Sequence, residues 1–342
     1  MGLRVGVLGV GPVGEHILRV LGERMFPIDG DITIMATRER EEIFDGKAVS
    51  VQKINADLFK QLDLVFFAGK EGAKGASMEW AATAVKSGCV VIDNGGDFRL
   101  YPNIPLVVPE VNMDSVTKDT RHICNPNCST IQMAVALWPL HKAARLRRVI
   151  VSTYQAVSGH SGAGMEQLKN ELEQVRLGEP PEHDPSIFAR SIAYNCIPHI
   201  DRFEPTGYTR EEMKMLHETR KIFDEPNLLI SATTVRVPVL VGHSESINAE
   251  FMEPMRAEKA IEILSEPKLS PGVVCFGEAD QYPVPSDLEK DEWKDAVLVG
   301  RIRDDMTASN AINLWCVSDN LRKGAATNAV QIALAMLERG LL

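Results

Sequence analysis

Cys128 lies in the run Asn125-Pro126-Asn127-Cys128-Ser129-Thr130, between a segment at 121–124 that reads as the end of a strand and a largely apolar run at 131–138. That run reads as a helix closed by Pro139. A cysteine in the first turn of a helix faces unpaired N–H groups and the positive end of the helix dipole, which together favour thiolate over thiol. Such a thiolate is a nucleophile. The same residues also fit a buried cysteine ahead of a core helix, because free cysteine is among the most buried residue types. A second group of chemical interest is Gly9-Val10-Gly11-Pro12-Val13-Gly14, a G-x-G-x-x-G between an apolar run at 3–9 and a helical pattern carrying Ile17, Leu18 and Leu21. There the glycines and Val13 admit a tight turn and the close approach of a pyrophosphate to the helix start. A glycine-rich turn that only packs helix on strand has the same composition.

These groups need elements to hold them, and the chain supplies an alternation. A second strand at 31–36 ends in Thr37-Arg38-Glu39-Arg40, where an NAD-binding fold places a carboxylate on the ribose hydroxyls. Thr37, Arg38 and Arg40 offer hydroxyl and guanidinium groups instead and lean toward the 2′-phosphate of NADP, although a solvated charged turn reads the same way. Apolar strands at 62–68 and 89–93 flank a helical stretch at 73–86, so the first part of the chain is α/β, a Rossmann-type doubly wound parallel sheet. Ligands bind beyond the carboxyl ends of such strands, which brings Arg99 forward as an anion ligand, or else as a surface charge. After the Cys128 helix come a β-branched strand at 147–154, a glycine-rich loop and a helix, then an irregular stretch at 178–191. A helix at 209–223 carries the capping-box pair Thr209 and Glu212. Strands at 228–239, 246–251, 296–303 and 313–318 then build a second α+β domain with a mixed sheet. A final helix spans 321–339.

Composition limits the partners. The chain has 342 residues, 44% hydrophobic and 25% charged, which suits two globular cores. A net charge of −10 argues against nucleic acid and anionic membranes. No apolar run approaches the roughly eighteen residues of a membrane span, and the first residues lead straight into a strand, so a cytoplasmic location is expected. The six cysteines have no paired metal-ligand spacing, and no metal is expected.

Several further blocks carry a family resemblance. Pro109-Glu110-Val111-Asn112, the Cys128 run, Val151-Ser152-Thr153-Tyr154-Gln155-Ala156-Val157-Ser158-Gly159, Asn195-Cys196-Ile197-Pro198-His199, Glu218-Thr219-Arg220-Lys221, Val235-Arg236-Val237-Pro238, Gly242-His243-Ser244-Glu245 and Val317-Ser318-Asp319-Asn320 occur in order. Together the chain resembles the aspartate-β-semialdehyde dehydrogenase family. The resemblance implies reductive dephosphorylation of L-aspartyl-4-phosphate to the semialdehyde by NADPH, through a thioester on Cys128. It implies His243 as general acid and base, a role that an unperturbed pKa of about 6.5 suits. Gln155 positions the reacting group and Asn127 helps stabilise the oxyanion or orient the phosphate. Arg236 holds the α-carboxylate, Glu218 the α-ammonium, and Arg99 with Lys221 the phosphate. Gly159 and Asn328 join the cofactor contacts. It also implies a homodimer, with 1–127 and 319–342 as the dinucleotide-binding domain and 128–318 as the catalytic and dimerisation domain.

The chain departs from the family pattern on the cofactor side. Its first glycine loop is one residue shorter and lacks a threonine, Lys70-Glu71 replace small or hydroxyl residues, and Asn94-Gly95-Gly96-Asp97 replaces Asn-Ser-Ser. His160-Ser161 follow Ser158-Gly159 in place of Ala-Gly, and Thr327 precedes Asn328. Two other readings therefore stand beside the first: a relative that reduces another small acyl phosphate or thioester, and a catalytically weak dimeric binding protein.

Overall fold

The computed structural model describes residues 2–69, 72 and 75–342. The chain folds as two compact units, 1–127 with 325–342 and 128–324. Lys70 and Glu71, two of the departures noted above, lie outside the described residues.

The first unit contains β1 (Val5–Leu8), α1 (Pro12–Glu23), β2 (Thr33–Ala36), β3 (Arg40–Phe44), β4 (Lys47–Lys53), α2 (Ala56–Phe59), β5 (Leu64–Phe67), α3 (Ala76–Lys86), β6 (Val90–Asp93), α4 (Pro109–Asn112) and β7 (His122–Cys124). Its sheet runs β3-β4-β2-β1-β5-β6-β7, parallel except for the β3–β4 pair. The central strands Val-Gly-Val-Leu and Leu-Val-Phe-Phe are buried along their whole length. Both faces are covered, which is why they read as continuous apolar runs rather than alternating ones. The order reverses between β1 and β5, the switch point where such sheets take ligands. The β3–β4 hairpin, which is polar and largely exposed, has no counterpart in the sequence expectations.

The second unit begins with α5 (Cys128–Ala144), followed by β8 (Leu146–Gln155), α6 (Ser161–Arg176), α7 (Arg210–Phe223), β9 (Leu229–Arg236), β10 (His243–Phe251), α8 (Ala257–Ser265), β11 (Val273–Cys275), β12 (Val297–Asp304) and β13 (Ala311–Ser318). Its sheet runs β11-β12-β13-β10-β8-β9, with parallel pairs at each edge and antiparallel pairs between. α5 is buried nearly all round. That burial explains one correction: the helix does not stop at Pro139 but runs through it to Ala144. Proline removes one helical hydrogen bond and costs about 3 kcal/mol, and the burial of Leu137, Leu140 and Ala144 offsets it.

Two other expectations shift. The strand placed at 246–251 starts earlier, at His243, so this residue is anchored in the sheet rather than in a turn. The helix placed at 321–339 opens as a π-helical turn, Arg322–Ala326, and becomes α9 (Thr327–Glu338) only afterwards. Residues 319–324 group with the second unit, and the boundary falls at 324/325. The reason is local: Asn320 exchanges hydrogen bonds with Ser158 and accepts one from the Gly242 N–H. A Cβ added to Gly324 would lie 2.9 Å from the Cys128 Cβ.

Candidate active site

Cys128 is the first residue of α5 and is partly exposed, while the residues after it are buried. The other candidates of the second unit come from three sheet positions and one helix. Gln155 ends β8, Arg236 ends β9 and His243 begins β10. Gln155 pairs in register with Arg236, and Tyr154 pairs with Ser244. Strand ends side by side bring Gln155 to Arg236 and His243, which lie more than eighty residues further along the sequence.

Gln155 is 1% exposed. Its amide nitrogen donates to Ser129 Oγ at 2.8 Å and to Glu211 Oε1 at 3.1 Å. A carboxylate accepts only, so Glu211 fixes which end of the amide is nitrogen. The amide oxygen is left as a buried acceptor with no partner among the described residues. His243 shows the complementary case. The Ala156 N–H donates to its Nδ1 at 3.0 Å, which puts the proton of the neutral ring on Nε2, and Nε2 has no partner among the described residues. Full burial, with the Arg236 guanidinium second, pushes this imidazole down to about 3, while Glu211 pulls the other way.

This corrects the expectation of an imidazole titrating near neutrality. In the ligand-free protein His243 is a neutral hydrogen-bond donor, because Nδ1 has no room for a second proton opposite an N–H.

Arg236 is 5% exposed and donates from Nη1 to the Ala156 carbonyl at 2.6 Å. Burial lowers its pKa, opposed by Glu211 and Cys128, which places the thiol and the guanidinium in one electrostatic neighbourhood. Gly159 faces this group. A Cβ there would meet Arg236 Nη1 at 2.6 Å and His243 Nε2 at 3.5 Å.

Glu218 lies 1% exposed on α7, with Lys221 one turn on and partly exposed. Glu211 is the residue that sequence reasoning passed over. It is buried, holds Gln155, bonds Lys214 Nζ at 3.3 Å and bears on both Arg236 and His243. A signal existed: Glu211 and Glu218 share the helix face of Met215 and Ile222, and carboxylates on a core-facing stripe are rare without a task.

The remaining candidates belong to the first unit. Arg99 is 6% exposed and donates to the Asn94 carbonyl at 2.7 Å. Asn127, also buried, immediately precedes α5. Asn328 is buried on α9, and its amide donates to Asn125 Oδ1 at 2.7 Å and to the Val107 carbonyl at 2.9 Å. In the glycine loop, Gly9 has φ +117° and a Cβ there would strike the Ala68 carbonyl. A Cβ on Gly11 meets nothing within 4 Å. Gly11 caps α1 without a side-chain bond, so the helix start at Val13 and Gly14 has no side-chain cap, and Gly14 is buried where a Cβ would strike the Gly9 carbonyl. That arrangement fits a dinucleotide pyrophosphate. Beyond β2, Thr37, Arg38 and Arg40 are exposed. Arg40 is held by Glu42 at 2.6 Å, whereas the Arg38 side chain has no partner among the described residues.

Among the described residues one mixed group could ligate a metal: Asp93, His122 and Cys124 have ligand atoms within 4.8 Å. Asp93 already takes Ser77 Oγ and the Gly95 N–H on one oxygen and His122 Nε2 on the other, a hydrogen-bonded set that needs no ion.

A Rossmann-type unit and a mixed-sheet unit in which a helix-start cysteine, a buried arginine and a donor histidine converge define an acylating, dinucleotide-dependent aldehyde dehydrogenase. Residues 4–119 match the family "Semialdehyde dehydrogenase, NAD binding domain" and residues 137–323 the "Semialdehyde dehydrogenase, dimerisation domain". The aspartate-semialdehyde dehydrogenase of Aquifex aeolicus is 45% identical over the whole of both chains, and aspartate-semialdehyde dehydrogenase 2 of Vibrio cholerae is 44% identical over 96% of each. The crystal structure of aspartate semialdehyde dehydrogenase II from Vibrio cholerae complexed with ASA superposes with a TM-score of 0.91, at 41% identity and 99% coverage of both chains. The chain belongs to the aspartate-semialdehyde dehydrogenase family.

Proposed function

We propose that the protein is an NADP-dependent aspartate-semialdehyde dehydrogenase, which converts L-aspartyl-4-phosphate to L-aspartate-4-semialdehyde in aspartate-family amino-acid biosynthesis. The observation that carries this reading is the pair of buried orphan groups beside Arg236: the Nε2–H donor of His243 and the Oε1 acceptor of Gln155. The carbonyl oxygen of an acyl group needs such a donor, and the Gln155 acceptor positions the reacting group by taking one N–H of an ammonium whose charge Glu218 balances.

The Cys128 thiolate attacks the acyl carbon, and the developing oxyanion takes the His243 Nε2–H as a hydrogen bond, with Asn127 assisting. Collapse expels phosphate, held by Arg99 and Lys221, and leaves a thioester on Cys128. NADPH, when bound, supplies the hydride for the thioester carbon. The second oxyanion takes the same Nε2–H, and its collapse regenerates the thiolate and releases the aldehyde. The two collapses balance without proton transfer to the ring, so a neutral imidazole suffices. Arg236, one edge committed to Ala156, keeps the rest of its guanidinium for the α-carboxylate, while Glu218 pairs with the α-ammonium.

The cofactor is assigned to Gly9, Gly11, Val13 and Gly14 for the pyrophosphate, to Thr37 and Arg38 for the ribose and its 2′-phosphate, and to Gly159 and Asn328 for its far end. Arg40, held by Glu42, supports that phosphate at most from a distance. The working form is a homodimer built on the second unit, and the location is cytoplasmic; among the described residues no helix is long and apolar enough to cross a membrane. The test is phosphate-dependent reduction of NADP by the purified protein with aspartate semialdehyde. Absence of turnover with either NADP or NAD would exclude the assignment.

A further inference from the structure

One buried titratable group has no part in this chemistry. Glu245 is fully buried on β10, two residues beyond His243 and so on the same face of the strand. In register with it stand Thr153 of β8 and Cys316 of β13, and Gln132 approaches its carboxyl from α5, one helical turn after Cys128. Both Glu245 oxygens, both polar atoms of the Gln132 amide and the Thr153 hydroxyl are buried without a well-aligned hydrogen bond among the described residues, although the Gln132 amide lies close enough to the carboxyl to offset part of the effect of burial. Five such polar atoms in one layer, on the helix of the nucleophile, the strand of the histidine and its neighbour β8, form a single polar compartment rather than scattered defects. Buried polar atoms of this kind are satisfied by one another or by enclosed water.

We propose that Glu245 is a neutral carboxylic acid whose proton, shared with Gln132 and Thr153 in this layer, ties the start of α5 to β10. It is a positioning residue that sets Cys128 against His243. Among the described residues no cation bears on a carboxylate here: Gln132 and Thr153 are neutral, and Cys316, the titratable group opposite, is itself pushed well up by burial. Burial likewise raises the Glu245 pKa well above the usual carboxylate range. The acid form alone supplies a donor, and the Gln132 oxygen and the Thr153 hydroxyl are acceptors for it.

The positioning role rests on the reaction proposed for Cys128 and His243, whereas the protonation state can be read without it. Glu245→Gln keeps shape and a donor but cannot ionise. Unfolded glutamate titrates near 4.3, so the stability that the acid contributes is whole below that value and is lost as pH rises toward the folded pKa. The unfolding constant of the parent relative to Glu245→Gln should therefore rise about tenfold per pH unit between pH 5 and 8. At pH 7 the parent should show the infrared band of a protonated carboxyl that Glu245→Gln lacks. Alkylation of Cys128 by iodoacetamide should stay within about threefold of the parent in Glu245→Gln and slow about tenfold in Glu245→Ala, the cost of one lost buried hydrogen bond. A pH-independent stability difference, or no such infrared band, overturns the neutral acid whether or not Glu245→Ala folds. Cys128 reacting equally in all three proteins overturns the positioning role, and Glu245→Gln as slow as Glu245→Ala does the same.

Discussion

His243 carries the sharpest consequence at the scale of single residues. With the Ala156 N–H on Nδ1 and full burial holding the ring near 3, this group should not appear in the pH profile of kcat/KM between 5.5 and 8. An acid limb near 6.5 that vanishes in His243→Gln would show a conventional general base instead. As an oxyanion donor, its removal in His243→Ala should cost about a hundredfold or more in kcat, and His243→Gln, which keeps an N–H, should recover part of that. Stability carries the same sign. Unfolded histidine takes a proton near 6.5, so this contribution is whole above that pH and is lost as pH falls toward 3. Gly159 and Arg38 give tests of substrate and cofactor. Gly159→Ala drives a methyl into Arg236 Nη1 and should raise KM for the semialdehyde about tenfold, the loss of one charge-assisted hydrogen bond, with kcat less affected. Arg38→Ala should raise KM for NADP by about tenfold and leave NAD unchanged, whereas Arg40→Ala, already paired with Glu42, should do little. Equal losses in both would reject the assignment of Arg38.

Among the elements, α7 does most to convert sequence into a site. Thr209 and Glu212 form the capping box legible in the sequence, with the Thr209 N–H on Glu212 Oε2 at 2.7 Å. What the sequence could not tell is that Glu212 Oε1 also accepts the Thr234 N–H of β9 at 3.0 Å. β9 is an edge strand, so that amide has no neighbouring strand to pair with. One carboxylate thus starts the helix and docks it beside the strand that ends in Arg236, presenting Glu211 and Glu218 inward. Thr209→Ala should cost about 1 kcal/mol, and Glu212→Ala about 2–3 kcal/mol because an edge amide is orphaned as well; equal losses by chemical denaturation would reject the docking role. The misreading of Pro139 has a related cause. Local rules stop a helix at proline, yet α5 is buried nearly all round and tertiary packing overrides the rule.

For the whole molecule, the readable parts were those whose signals are local or continuous. Alternating apolar strands and helices, the glycine turn and the nucleophile's helix start are written in adjacent residues, and the structure places them within a few positions of their expected bounds. The π-helical turn at Arg322–Ala326 and the tautomer of His243 depend on what other segments bring alongside, whereas the exposed β3–β4 hairpin is local, turning at Asp45-Gly46 with positive φ at both residues, and escapes notice because its strands bury almost no apolar side chains. The proposed dimer should show as a species of twice the chain mass in sedimentation at micromolar concentration; a monomer would reject it. The central claim is that Cys128 carries the acyl group, and trapping it is the most direct measurement. Enzyme mixed with aspartate semialdehyde and NADP in phosphate-free buffer should release a burst of one NADPH per subunit and gain one acyl group on the Cys128 peptide by mass spectrometry, discharged when phosphate is added. A full burst from Cys128→Ser, or an adduct on any other residue, would contradict the account.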